Sequence, residues 1–128
     1  MPQFGFQRLE VYQLAKALVL KSYQLTRQFP QDEKFALVQQ INRAAISIPS
    51  NIVEGYGRMT AKDKGHFLNI AYSSMMEMIC QYELAEMLGY ISGDDLDDIM
   101  ECSQRLAVKI SNFRQYIIGG TDGKEMAK

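Results

Sequence analysis

The chain has 128 residues, of which 47% are hydrophobic, and its formal net charge is −1. This length suits one domain, residues 1–128, with a single hydrophobic core. No apolar run approaches the ~20 residues of a membrane span, and residues 1–6 lack the basic stretch and apolar core of a signal peptide, so we expect a cytoplasmic protein without membrane contact.

The first two predicted helices are separated by a proline break. Apolar residues recur at helical spacing from residue 7 to residue 28, and Phe29-Pro30 then ends this helix. A second helix is predicted over residues 33–58, with one apolar face. The two stripes are Val11, Leu14, Leu18, Ser22 and Leu25, and then Val38, Ile41, Ala45, Ile48 and Ile52.

The second predicted helix carries Pro49 in its interior and ends at Gly55-Tyr56-Gly57. An interior proline costs roughly 3 kcal/mol or more, because it removes a backbone donor and clashes with the preceding turn. We expect Ser50 and Asn51 to serve the backbone there, where the carbonyl of Ala45 loses its partner. The two glycines indicate a tight helix exit that lets backbones approach closely.

A polar stripe runs opposite the apolar face of this helix. Three interpretations stay open: a solvated outer face, a polar seam between subunits, or a surface that faces phosphates. In the last case Arg43 and Arg58, with Lys62 and Lys64 beyond the turn, would supply the charge. Glu54 pairs with Arg58 in the favourable i, i+4 order. The stripe comprises Gln40, Arg43, Ser47, Ser50 or Asn51, Glu54 and Arg58.

The third helix is predicted over residues 61–88, with Thr60 as its N-cap, Asp63 in its first turn, and Gly89 in the left-handed position after it. It is apolar on two sides. The wider stripe either packs against both neighbouring helices or contributes to a subunit interface. The candidate interface residues are Leu68, Tyr72, Met75, Met76 and Ile79.

The fourth helix is predicted over residues 93–118, with Asp94 and Asp95 in the first turn, where the helix dipole favours negative charge. Residues 119–128 are expected to form a frayed tail. Four helices with short connections predict an all-α, antiparallel up-down-up-down four-helix bundle. The stripe of the fourth helix is Leu96, Ile99, Ser103, Leu106, Ile110, Phe113 and Ile117.

No group of residues forms a catalytic, cofactor or metal site in the sequence. His66 is the single histidine and has no clustered ligands. The acidic run over residues 94–101 lacks the glycine and the glutamate of an EF-hand. Cys80 and Cys102 stand alone and are expected to be free, buried thiols, with a disulfide as the alternative. We therefore expect no enzyme, no cofactor and no metal.

The near-neutral net charge conceals an uneven distribution of charged residues along the chain. Residues 1–76 carry nine basic and five acidic side chains, whereas residues 77–128 carry five and ten. Two interpretations stay open: solvated faces of mixed sign, or a basic patch that serves an anionic partner or an oppositely charged subunit.

Five segments carry a resemblance that covers nearly the whole chain: residues 9–15, 29–30, 43–58, 67–74 and 83–91. With these segments the chain resembles a bacterial family encoded in intervening sequences of large-subunit ribosomal RNA genes, sometimes labelled ribosomal proteins. The accessory variability determinant of diversity-generating retroelements belongs to the same family. The resemblance implies an antiparallel four-helix bundle that assembles as a homopentamer, and for the retroelement members a reverse transcriptase partner and a nucleic-acid-binding surface.

Two functional hypotheses follow. The first is a non-enzymatic, oligomeric adaptor that contacts RNA or DNA, or a nucleic-acid enzyme, through Arg43, Arg58, Lys62 and Lys64. The second is a protein-interaction scaffold without a nucleic-acid role, in which the polar motif of the second helix acts in assembly. The residues of that motif are Ser47, Pro49, Ser50, Asn51, Glu54, Gly55 and Gly57.

Overall fold

The computed structural model of the protein describes residues 3–119, and the predicted tail from Gly120 onward lies outside this range. Within it the chain forms four α-helices and two short 3₁₀ turns and contains no strand, which confirms the all-α prediction. None of the helices in this range is long and apolar enough to cross a membrane. The helices are α1 (Glu10–Thr26), α2 (Leu37–Gly57), α3 (Ala61–Met87) and α4 (Gly93–Gly119).

The first two helices begin later than predicted, because a 3₁₀ turn precedes each of them. Gly5–Arg8 and Gln31–Glu33 take the tighter geometry that is common at helix ends. The second turn follows Pro30, and the Oε1 atom of Glu33 accepts the backbone N–H of Leu37 at 3.3 Å. Glu33 thus satisfies a free donor of α2 from outside the helix.

The start of α3 agrees with its predicted cap, and α4 begins with a cap of the same kind. The hydroxyl of Thr60 accepts the backbone N–H of Asp63 at 3.1 Å. The hydroxyl of Ser92 accepts the backbone N–H of Asp95 at 3.0 Å, and the carboxylate of Asp95 accepts the N–H of Ser92, which is the reciprocal pattern of a capping box. Gly89 has a φ of +82° in the turn between the two helices, a conformation that suits glycine.

The predicted stripes become the core because each helix packs against two neighbours, in the cyclic order α1, α2, α3, α4. The outermost stripe residues, such as Leu14, Val38 and Leu96, are only partly buried. The fully or almost fully buried residues of the predicted stripes are Val11, Leu18, Ser22, Leu25, Ile41, Ala45, Ile48, Ile52, Ile99, Ser103, Leu106, Ile110 and Phe113.

A buried polar link joins α3 to α1 through the middle of this core. Tyr82 is fully buried, and its hydroxyl donates to the backbone carbonyl of Ser22 at 2.8 Å. The Ser22 hydroxyl lies 2.6 Å from the same Tyr82 oxygen. Since the phenol has one proton, which it donates to the carbonyl, Ser22 is the donor in the second bond. Burial raises the pKa of Tyr82 well above its usual range.

The predicted second apolar face of α3 divides between core and surface. Leu68 and Met75 are fully buried within the chain, so the prediction that they contact another subunit is wrong for these two side chains. They point inward because the inner stripe of α3 is wide enough to meet both α2 and α4. Ile79 is partly buried, and Tyr72 and Met76 are 38% and 41% exposed.

Both cysteines are free, as predicted, but neither is buried. Cys80 is exposed and Cys102 is partly buried. Cys80 lies four residues after Met76 and four before Leu84, both of which are exposed. Because residues four apart share a helix face, Cys80 belongs to the outer surface of α3 and not to its core stripe.

Candidate nucleic-acid interface

The backbone around Pro49 is supported by side chains one helical turn back. The hydroxyl of Ser50 donates to the carbonyl of Ile46 at 2.9 Å. The amide of Asn51 donates to the carbonyl of Ser47 at 2.8 Å and to its hydroxyl oxygen at 2.9 Å. Neither side chain bonds the carbonyl of Ala45, so that part of the prediction is wrong, since both reach the carbonyl four residues before themselves.

Ser47 also connects α2 to α3, because its hydroxyl lies 2.8 Å from the hydroxyl of Ser74. Asn51, Ser47 and Ser74 therefore form one polar network at the seam between the two helices. The polar motif of α2 thus has an intramolecular role, and it holds the helix around Pro49 against α3.

We expect Asn51→Ala to lower the free energy of unfolding by about 1–3 kcal/mol, because the carbonyl and hydroxyl of Ser47 lose a partly buried partner. The matched change Ser50→Ala should cost less than ~0.5 kcal/mol, since Ser50 is exposed and its carbonyl partner can bond water. Urea denaturation of both variants measures the difference. Equal losses would show that Asn51 has no special structural part.

The two glycines at the end of α2 differ in what surrounds them. Gly55 is buried, and a Cβ atom there would lie 3.1 Å from the backbone carbonyl oxygen of Lys64 and 3.4 Å from Leu68. At Gly57 a Cβ would have no atom within 4 Å among the described residues. The predicted close approach of backbones is therefore made at Gly55 alone.

We expect Gly55→Ala to destabilise the protein by about 1–3 kcal/mol, because the added methyl group presses on a backbone atom of α3 that cannot rotate away. Gly57→Ala should stabilise it slightly, by up to about 1 kcal/mol, since alanine has the higher helix propensity and meets no neighbour. Thermal unfolding of the two variants checks this. A Gly55→Ala protein as stable as the parent would refute the packing argument.

The four predicted phosphate-contacting residues do not lie together. Arg43 lies 15 residues before Arg58 on α2, which corresponds to roughly 22 Å of helix. Its guanidinium donates to Gln40 at 3.0 Å and lies 3.9 Å from the carboxylate of Glu77. Arg43 is therefore separated from the others, because a single straight helix holds the two ends of the stripe apart.

Arg58, Lys62 and Lys64 surround the turn between α2 and α3. Arg58 donates to Glu54 at 3.0 Å, as predicted, and its guanidinium carbon lies 4.5 Å from the centre of the Phe67 ring. The ammonium of Lys64 donates to the backbone carbonyl of Tyr56 at 3.0 Å. Lys62 is exposed. These contacts hold Arg58 and Lys64 against the turn and leave their charges at the surface.

Other elements meet the same end of the molecule. The turn at Gly5 lies against the Tyr56 ring, and a Cβ at Gly65 would approach both Ile118 and Arg114. Near the start of α1, Glu10 bonds Lys109 of α4 at 2.9 Å. This end therefore combines the start of α1, the end of α2, the start of α3 and the end of α4.

Charge is segregated between the two halves of the fold. We call residues 3–17, 48–73 and 105–119 the basic half, which carries eight basic side chains against three acidic ones. The acidic half, residues 18–47 and 74–104, carries four against ten. The basic side chains of the basic half are Arg8, Lys16, Arg58, Lys62, Lys64, Arg105, Lys109 and Arg114.

Three of these cations were missed at the sequence level. Arg105, Lys109 and Arg114 belong to the acidic second half of the chain, so a count along the sequence assigns them to the wrong side. The predicted up-and-down bundle could have found them, because in such a bundle the end of the fourth helix lies beside the start of the third.

The contacts at the opposite end bring acidic residues together. Tyr90 donates to the carboxylate of Glu33 at 2.7 Å, and this bond raises the pKa of Tyr90. Lys21 pairs with Asp98 between α1 and α4, and that bond raises the pKa of Lys21. Within residues 3–119 no group of three metal-binding side chains occurs.

The geometry defines a helical protein whose two ends carry opposite charge. The chain belongs to the 23S rRNA-intervening sequence protein family, whose profile matches residues 7–112, and this confirms the resemblance seen in the sequence. It is similar to a solved protein of unknown function from the S23 ribosomal protein family of Bacteroides thetaiotaomicron VPI-5482. The two are 23% identical, with a TM-score of 0.75 over 82% of this chain and 95% of that one. No curated protein matches the chain.

Proposed function

We propose that this protein is a non-enzymatic accessory protein that binds the phosphate backbone of RNA or DNA through the basic half of its fold. One observation carries the proposal: eight basic and three acidic side chains share that half, although the whole chain has a net charge of −1. Two of the three acids, Glu10 and Glu54, are paired with Lys109 and Arg58.

The opposite half would orient a nucleic acid. Its ten acidic side chains repel phosphates, so a backbone that approaches the protein is steered toward the turn between α2 and α3. Lys62 is exposed there, and Arg58 presents a planar guanidinium that suits phosphate oxygens. A surface of this kind reads backbone charge without base sequence, as expected for contacts made by lysine and arginine alone.

We infer that the four helices run antiparallel, in up-down-up-down order. The ion pairs between α1 and α4 support this, since Glu10 near the start of α1 meets Lys109, and Lys21 further along meets Asp98. The close approach of Gly55 to Leu68, together with the earlier Ser47 and the later Ser74 as a second contact, supports the same relation for α2 and α3. We also expect a cytoplasmic protein, in line with the free thiols.

A second candidate function is a protein-interaction scaffold, and an apolar groove between α1 and α2 favours it. Leu20 and Ile46 are 67% and 45% exposed, and they line this groove with Val19 and Pro49. Exposed apolar residues grouped in this way are typical of interaction surfaces. The groove and the outer residues Met76 and Ile79 would serve a homo-oligomer, which the family resemblance implies to be a pentamer, or a nucleic-acid enzyme.

Light scattering and fluorescence anisotropy distinguish the two functions. We expect a labelled, mixed-sequence RNA to bind at low salt, with an affinity that falls steeply as salt rises. A mass of about five chains that increases with RNA would support both the assembly and the binding. The same mass with no RNA bound, even at low salt, would refute the nucleic-acid function and favour the scaffold.

A further inference from the structure

A small pocket lies between α3 and α4, in the basic half of the fold. Its volume is about 230 Å³, below the ~300 Å³ at which drug-sized sites begin. The residues that line it are Leu68, Asn69, Tyr72, Ile110, Ser111 and Arg114. Four of these six carry a hydrogen-bond donor, and none carries a carboxylate.

Arg114 supplies the charge of this pocket. Its side chain is partly buried beside Gly65, where a Cβ would lie 3.5 Å from a terminal guanidinium nitrogen and 2.7 Å from Ile118. Gly65 therefore leaves the space through which α4 presents this arginine. The side chain is held by packing, which fixes the direction of its donors.

The guanidinium of Arg114 is uncompensated within residues 3–119. Its Nε atom is buried and has no hydrogen-bond partner there, and none of the ion pairs in this range includes it. A partly buried cation without an acidic partner strongly favours an anion beside it, because burial weakens its hydration and screening.

The donors around Arg114 select the kind of anion. Asn69 offers an amide, and Tyr72 and Ser111 offer hydroxyl groups, so the pocket presents one charged and three neutral donors. A carboxylate has two oxygens to accept them, whereas inorganic phosphate has four and a backbone phosphodiester has two non-bridging and two weaker ester oxygens. The apolar floor of Leu68 and Ile110 excludes water and strengthens each bond.

We propose that the pocket between α3 and α4 binds a single phosphate group, with Arg114 as its charged anchor and Asn69, Tyr72 and Ser111 as its neutral donors. The phosphate can be a free ion or part of a nucleic-acid backbone. Binding of a backbone phosphate rests on the proposed function. In that case Lys62 and Lys64, which lie near the same end of α3, would hold neighbouring phosphates.

The test titrates inorganic phosphate into the full chain at constant ionic strength and follows the ¹⁵N–¹H signals of the Arg114 Nε–H and the Asn69 side-chain amide. We expect saturable shifts that chloride does not produce. Arg114→Lys should weaken binding by at least about 10-fold, because lysine keeps the charge but loses the planar fork. Tyr72→Phe and Ser111→Ala should each weaken it by about 2- to 10-fold.

Arg27→Lys is the matched control, since Arg27 is an exposed arginine of the acidic half and lies outside the pocket. It should leave phosphate binding unchanged, and thermal unfolding verifies that all variants remain folded. Shifts in the parent that do not saturate, or equal losses in the Arg27 and Arg114 variants, would overturn the site.

A parallel titration with a short RNA separates the two sources. RNA that moves the same signals and competes with phosphate would identify a backbone phosphate as the ligand. If inorganic phosphate binds and RNA does not, the pocket is a site for free phosphate and the proposed function is refuted. If RNA binds without shifting the Arg114 signal and inorganic phosphate does not bind, the proposed function stands and the phosphate site is overturned.

Discussion

Replacing Arg58, Lys62 and Lys64 together by glutamine is expected to reduce the affinity for single-stranded RNA by about 100-fold at 0.1 M salt. Each phosphate contact on a single strand lowers log K by about 0.7 for every tenfold rise in salt. At 0.1 M salt, one contact therefore contributes about fivefold to the affinity for RNA. Three contacts therefore give a factor of ~100, and the salt dependence should become shallower by about two units of slope. Anisotropy titrations from low to high salt measure both quantities.

The control removes three cations from the acidic half. A Lys21→Gln, Arg27→Gln, Lys34→Gln variant undergoes the same change in net charge, but its substitutions lie far from the turn between α2 and α3. We expect its affinity to change less than about threefold, through the weak, screened effect of distant charge. Equal losses in the two variants would show that RNA responds to the total charge and not to the basic half.

Tyr82→Ala is expected to produce the largest loss of stability, about 3–5 kcal/mol, because it removes a fully buried aromatic ring and leaves a cavity. Tyr82→Phe keeps the ring and removes only the hydroxyl. The carbonyl and hydroxyl of Ser22 then lose their partner, at a cost of about 1–3 kcal/mol. Urea denaturation at neutral pH measures both losses, and a Phe variant as stable as the parent would contradict the structural role of the hydroxyl bonds.

Tyr82 also predicts how stability depends on alkaline pH. Its pKa in the folded protein is raised by burial, whereas in the unfolded chain it titrates near its usual value of about 10. Above that pH the unfolded state binds fewer protons than the folded state, so the stability that the protonated phenol contributes is lost as pH rises. We expect the parent to lose stability above about pH 10 more steeply than Tyr82→Phe, in which this group is absent. Parallel slopes would contradict the burial of an uncharged phenol.

Local features of the fold were predicted well from the sequence. The cap at Thr60 and the left-handed Gly89 depend on bonds between residues that are three to five positions apart. The core stripes depend on helical periodicity, so Ile48 and Leu106 were placed correctly. The starts of α1 and α2 were predicted too early, because each is preceded by a 3₁₀ turn, whose helical geometry does not belong to the α-helix itself.

Contacts between distant segments were not predictable in the same way. The stripe of α1 includes Ser22, but nothing in the pattern indicates that its partner is Tyr82, 60 residues later. The width of the apolar surface on α3 suggested an outer interface, yet Leu68 and Met75 face inward. Periodicity shows which residues share a face, and only docking of the helices decides which neighbour that face meets.

The candidate site shows the same division. The sequence by itself determined four helices, their caps, their buried faces and the cations around the turn between α2 and α3, because these follow from spacing and local hydrogen bonds. Only the tertiary structure decided that Arg43 lies apart from that turn, that Arg114 approaches Gly65 beside it, and that Gly55 rather than Gly57 is the close contact. The physical reason is that helix packing brings together residues far apart in the chain, while a rigid helix keeps the two ends of one stripe separate.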